Sequence, residues 1–119
     1  MGNPVVHFEI GGRDGGRTVE FYCELFDWDV RMDPTGYGLV DTGSDVGIGG
    51  GIMQTPPQAP PYVTFYVGVD DVDKYLTRAE ELGGRKVLAP MDVGTIGAFA
   101  MFADPDGNLV GLFRENADA

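Results

Sequence analysis

Val6, Phe8 and Ile10 alternate with Val5, His7 and Glu9 near the start of the chain. A period of two is that of a β-strand, here with one apolar face and one face that carries an imidazole and a carboxylate. Gly11 to Gly16 reads as a loop, with Asp14 placed to cap the helix that follows. From Arg17 to Asp27 the period becomes helical: Val19, Tyr22, Cys23 and Phe26 share a stripe, and Glu20 and Glu24 fall opposite. The stripe predicts Cys23 as a structural thiol pointing into the core. Trp28–Met32 and Tyr37–Thr42 read as strands separated by the turn Asp33-Pro34-Thr35-Gly36, and a glycine-rich strand follows over Gly47–Met53. A phosphate-binding glycine loop needs a helix N-terminus after it, and no helical pattern follows; close approach of a ligand or strand to the backbone is the better reading.

The opening pattern then recurs. Pro61-Tyr62-Val63-Thr64-Phe65-Tyr66-Val67-Gly68 repeats Pro4-Val5-Val6-His7-Phe8-Glu9-Ile10-Gly11 at an offset of 57, and 8 of the 27 pairs between 4–30 and 61–87 are identical. An internal duplication follows from that. Its central mismatch sets His7 against Thr64. Thr55 to Pro61 holds four prolines in seven residues and reads as the link between the halves, semi-rigid and extended. Asp70 and Asp71 open a second helix with the stripe Val72, Tyr75, Leu76, Ala79 and Leu82, and Gly83-Gly84 stops it. Lys86–Leu88 reads as a short strand and Gly97–Ala103 as a longer one. The turn Asp104-Pro105-Asp106-Gly107-Asn108 leads to a last strand over Leu109–Arg114, and 116–119 is expected to fray.

Composition narrows the function classes. At 119 residues the chain is one domain by size, its two repeats (4–54 and 61–115, joined by 55–60) each too small to be stable alone. Nineteen acidic against eight basic residues give a charge of −11, which opposes nucleic acid and anionic membranes and favours a cationic or neutral partner. No membrane-spanning run or leader is recognisable, so a soluble cytoplasmic protein is expected. A lone cysteine excludes an intrachain disulfide and suits a reducing compartment.

A His-bearing first strand, then Asp14 and Phe21-Tyr22 with Leu25-Phe26-x-Trp28, resembles the vicinal oxygen chelate superfamily, which includes glyoxalase I, extradiol dioxygenases and bleomycin-resistance proteins. Val69-Asp70-Asp71-Val72-Asp73, Leu82-Gly83-Gly84 and Asp104-Pro105-Asp106-Gly107-Asn108 in the second half add to the likeness, which spans Val5 to Arg114. The resemblance implies an α+β fold: two tandem βαβββ modules whose curled sheet encloses a cavity, with the helices outside. It further implies a homodimer. On that fold Val6, Phe8, Ile10, Val63, Phe65 and Val67 are expected to pack under the helices. His7, Glu9, Thr64 and Tyr66 then line the cavity, and Leu109, Gly111 and Phe113 share the inner face of the last strand. Tyr37, Tyr62, Tyr66, Phe99, Met101 and Phe113 are candidates for its aromatic walls.

Metal-using members of that superfamily take ligands from the first and last strands of each module, usually His and Glu. Carried across, the first-strand positions are His7 and Thr64, and the second module's last-strand position is Gly111. The first module's equivalent lies in Gly47–Met53, which holds no ligand type. Glu9 supplies one more oxygen, and only Asp41, Asp92 or a neighbouring chain would supply a third donor, whereas a divalent ion needs about three. No cofactor is therefore expected, with Zn, Ni, Mn or Fe as the alternative. His7 and Glu9 are the tentative catalytic pair and, with Thr64, Tyr66, Tyr37, Phe99, Met101 and Phe113, the ligand-binding set. A buried Glu9 requires a partner, with His7, Tyr66 or a cationic ligand as candidates. Two functions follow: a metal-free small-molecule binder that sequesters a cationic or aromatic ligand, or a glyoxalase-like lyase, isomerase or dioxygenase with a degenerate metal site at His7.

Overall fold

The computed structural model describes residues 2–93 and 96–116; positions 117–119, where fraying is expected, lie outside the described residues. The chain divides into two compact units, His7–Thr64 and a second made of the residues from Phe65 onward with those up to Val6.

The first unit contains β1 (Val5–Gly12, from His7 on), α1 (Gly15–Phe26), β2 (Asp29–Met32), β3 (Gly38–Asp41) and β4 (Gly50–Gln54). The strands lie in the order β2-β3-β4-β1. β3 is antiparallel to β2 and β4, and β4 runs parallel to β1 with Glu9 opposite Gly51. Asp14 caps α1 by accepting from the Arg17 N–H at 3.2 Å. The helix ends at Asp27 in the left-handed region, φ 59°. Ile10, Val40 and Ile52 form the core, with Phe8, Val19, Tyr22, Trp28 and Val30 packed on them. Cys23 is half-buried, not fully in the core.

The second unit contains β5 (Tyr62–Gly68, from Phe65 on), α2 (Val72–Glu81), β6 (Arg85–Val93), β7 (Gly97–Ala103) and β8 (Leu109–Glu115). Its order is β5-β8-β7-β6, with β8 parallel to β5 and β7 antiparallel to both neighbours. Asp71 caps α2 through the Lys74 N–H, and Gly83, at φ 103°, lets the chain leave the helix. The core is Val72, Leu76, Ala98, Ala100 and Leu112. Both units thus carry the βαβββ order that the sequence implies. Among the described residues no helix is long and apolar enough to cross a membrane.

Two expectations are corrected. β6 runs nine residues, Arg85–Val93, where the pattern marks only Lys86–Leu88. Pro90 argues against a strand, but β6 is the outermost strand of its unit and its pairing with β7 shifts register between Leu88 and Met91, where a residue without an N–H is tolerated. Second, the apolar face of the first strands is only partly covered. Val6, Val63 and Phe65 are exposed, Val63 by 71%, whereas Phe8 and Ile10 do join the core. The helices explain it: α1 packs on β2 and β4, and α2 on β6, β7 and β8. The opposite face holds the buried residues Glu9, Thr64 and Tyr66.

Candidate functional site

Two side chains on one face of β1 organise the site of the first unit. His7 and Glu9 are two residues apart and so project to the same side. The parallel pairing with β4 sets Gly51 beside Glu9, and the antiparallel pairing of β3 with β4 sets Leu39 beside Gly51. Tyr37, one residue before β3, is thereby delivered over Gly51. The Asp33–Gly36 turn fixes its backbone: Asp33 accepts from the Tyr37 N–H at 3.1 Å and donates its own N–H to the Tyr37 carbonyl at 2.9 Å. The Thr35 hydroxyl, first among several donors to this turn carboxylate, holds the Asp33 pKa below its usual value.

The Tyr37 hydroxyl joins the two β1 side chains. It donates to Glu9 Oε1 at 2.9 Å and lies 2.9 Å from His7 Nε2. Tyr62 donates to the other oxygen, Glu9 Oε2, at 2.6 Å. Glu9 is 5% exposed, and a buried carboxylate of this kind is retained only with such donors. A phenol has one proton. With that proton directed at Glu9, the bond between Tyr37 and His7 is made with Nε2–H as donor, the tautomer that the Tyr37–Glu9 bond favours. Burial pushes the His7 pKa below its ordinary value, and the negative charge of Glu9 opposes that shift without overcoming it.

The second unit gathers other members of the expected set. Tyr66 is buried, its hydroxyl 4.0 Å from Met101 Sδ and its ring edge-on to Phe99, with centroids 6.3 Å apart. Phe113 pairs with Phe99 across β7 and β8. Tyr66 sits opposite Gly111, as Glu9 sits opposite Gly51. Thr64 is buried at the end of the first unit. The structure therefore brings His7, Glu9 and Tyr37 into one hydrogen-bonded cluster and Tyr66, Phe99 and Met101 into another.

The two glycines carry the decisive geometry. A Cβ at Gly51 would fall on the Tyr37 hydroxyl, and a Cβ at Gly111 would fall on the Tyr66 ring. Both last-strand positions from which a ligating side chain would extend are thus covered by tyrosine. Nor do the remaining donors assemble: among the described residues no three His, Cys, Asp or Glu side chains are grouped as a metal ion requires. Asp41 is exposed and accepts from the Gly43 N–H in a turn, and Asp92 is exposed with Arg114 Nη2 at 4.0 Å. The described residues do not by themselves assemble the donors that a resident divalent ion needs.

Sequence reasoning named Tyr62 only as a candidate wall and missed it as a donor to Glu9. The signal was the requirement for a partner to a buried carboxylate, with no means of telling which tyrosine would reach it.

A model of the Glyoxalase/Bleomycin resistance protein/Dioxygenase superfamily matches residues 5–112. The anthracycline biosynthesis protein DnrV of Streptomyces peucetius is 30% identical over 91% of the chain and 46% of its own length. The putative glyoxylase CFP32 of Mycobacterium bovis is 32% identical over 87% of the chain and 42% of its own length. The chain therefore spans less than half the length of these relatives. Methylmalonyl-CoA epimerase from Mycobacterium tuberculosis superposes with a TM-score of 0.68 over 96% of this chain and 89% of that one, at 14% identity, a likeness of fold alone.

Proposed function

This chain belongs to the glyoxalase/bleomycin resistance protein/dioxygenase superfamily, and we propose that within it the chain is a small-molecule binding protein that works without a metal ion and holds an aromatic or cationic ligand against His7 and Glu9. One observation carries the reading: tyrosines cover both glycines, Gly51 and Gly111, at the last-strand positions from which metal ligands would extend. What remains in the first unit is a polar reader, His7–Tyr37–Glu9–Tyr62, and the second unit has an aromatic group of its own, Tyr66 and Phe99. The charge of −11 supports a cation, and the name of DnrV, an anthracycline biosynthesis protein, supports a ligand of the anthracycline kind. The exposed Met32, Leu39 and Val46 support the homodimer that belongs to this reading.

The hydrogen-bond chain favours a second use of the same residues. His7 can exchange a proton with a ligand while Tyr37 and Glu9 stabilise the imidazolium, an acid–base step without metal. A metal-dependent lyase, isomerase or dioxygenase needs donors that the described residues do not bring together.

Binding is tested with an anthracycline, followed by its own fluorescence, against an uncharged anthraquinone of similar ring system. The expected result is saturable binding that weakens about tenfold or more, roughly 1.4 kcal/mol or more, when His7→Ala and Glu9→Gln are combined. Binding that ignores both replacements would remove the site from the account. Exchange of solvent deuterium into the bound ligand separates the acid–base use from simple binding.

A further inference from the structure

Beside the His7 cluster, with which it shares Tyr62, the first unit carries an open groove of about 810 Å³ between the end of β1, the start of α1 and the chain entering β5. Its apolar walls are Phe21, Tyr62 and Val63, with Phe21 and Val63 both more than half exposed. Two guanidinium groups, Arg13 and Arg17, line it as well. Among the described residues neither side chain has a hydrogen-bond or ion-pair partner, whereas Arg78 pairs with Glu81 and Arg114 lies by Asp92 and Asn116.

The local charge runs against the rest of the molecule. Two arginines and one acid, Asp14, line the groove, a balance of 2 − 1 = +1 in a chain of −11. That one acid is already engaged in capping, accepting from the Arg17 N–H. An unpaired arginine pair beside exposed aromatic and aliphatic surface is the complement of a molecule with an apolar body and an anionic head. The guanidinium fork suits a planar carboxylate better than a point charge does.

The groove wall is also fixed in place. The Tyr62 ring lies across Gly11, where a Cβ would collide with it, and its hydroxyl is held by Glu9 Oε2 at 2.6 Å. An occupant of the groove therefore rests on a ring whose far end belongs to the His7 cluster.

We propose that this groove is a binding site for small amphipathic anions, with Arg13 and Arg17 holding the carboxylate and Phe21, Tyr62 and Val63 the apolar body. The ligand class is opposite in charge to the one the whole molecule favours, so the site is separate from the reading of His7 and Glu9. Its test is a titration of the intact chain with 4-phenylbutyrate and with 4-phenylbutyramide, followed by backbone amide shifts. The acid is expected to give saturable shifts at Gly11, Gly12, Arg17 and Val63 and to bind at least about tenfold more tightly than the amide. Arg13→Gln with Arg17→Gln should abolish that preference, each single replacement should weaken it partly, and added salt should reduce it. Both arginines are exposed, and the unchanged remainder of the spectrum reports that the variant is folded. Equal binding of acid and amide, shifts elsewhere, or an acid preference that survives the double replacement overturns the proposal. So do shifts at the same amides that grow with chain concentration and exclude the probe, since a second copy then occupies the groove.

Discussion

Replacing Tyr37 and Tyr62 together by phenylalanine is expected to destabilise the chain by about 3–6 kcal/mol, because hydrogen bonds to a charged group contribute about 1.5–3 kcal/mol each and two are removed from a buried carboxylate. Against a total stability on the order of 5–15 kcal/mol, that loss lowers the melting temperature by roughly 10–20 °C. The cause is specific: each phenol serves one oxygen of Glu9, and Tyr37 also holds His7. Adding Glu9→Met to the double variant should recover part of the loss, since the carboxylate that lost its two phenol donors is then gone. Thermal or urea unfolding of the natural chain and these two variants reads this directly. A silent double variant, or a further loss on adding Glu9→Met, would sink the network as a source of stability.

The same network has a pH signature. The folded pKa of His7, the chain's single histidine, lies below the unfolded value of 6.5, so the unfolded state binds the proton more readily. Stability from this group is full above 6.5 and falls as pH drops from there toward the folded pKa. Glu9→Gln removes the opposing charge, lowers the folded pKa further and widens that window. The C2–H resonance of the lone imidazole reports the shift in both proteins.

Gly51→Ala is expected to cost about 2–3 kcal/mol or more, the upper part of the range for overpacking, because the added methyl falls on a hydroxyl that bonds both His7 and Glu9. Gly111→Ala places its methyl against the Tyr66 ring in the second unit. A glycine in a strand normally gains about 0.5–1 kcal/mol from alanine, so the sign of the change is itself diagnostic. Combining Gly51→Ala with Tyr37→Ala should give a loss well below the sum of the singles, measured as a double-mutant cycle. Additive losses would mean that Tyr37 does not occupy the space above Gly51. It follows that Gly51→Glu alone does not make a ligand position: the longer side chain must first displace Tyr37.

Much of this was legible in the sequence, and the particular residues show why. Asp14 read as a cap and Asp70-Asp71 as a helix start because that signal is local, an acceptor three residues before the N–H it meets; the structure gives the second cap to Asp71. The faces of β1 were readable as alternation, but which face would be covered was not. Val63 and Phe65 remain exposed because the helices settle on other strands, a choice made by packing between distant segments. Of the nine residues of β6 only Lys86–Leu88 read as strand; tolerance of Pro90 depends on an edge position that no local pattern encodes. His7, Glu9 and Tyr37 all read as candidate site residues. That Tyr37 bridges the other two was hidden, because it depends on the register that sets Glu9 beside Gly51, 42 positions apart. Gly111 read as a missing ligand and Gly47–Met53 as a run without one; the structure singles out Gly51 in that run and sets tyrosines against both glycines.

The most direct test of metal independence is metal stoichiometry on the tag-free chain, as purified and after exposure to Zn, Ni, Mn and Fe(II), with His7→Ala beside it. The account predicts no tightly held ion in either protein under any of these conditions. About one ion per chain in the natural protein, lost in His7→Ala, would contradict it and return His7 to the role of a metal ligand.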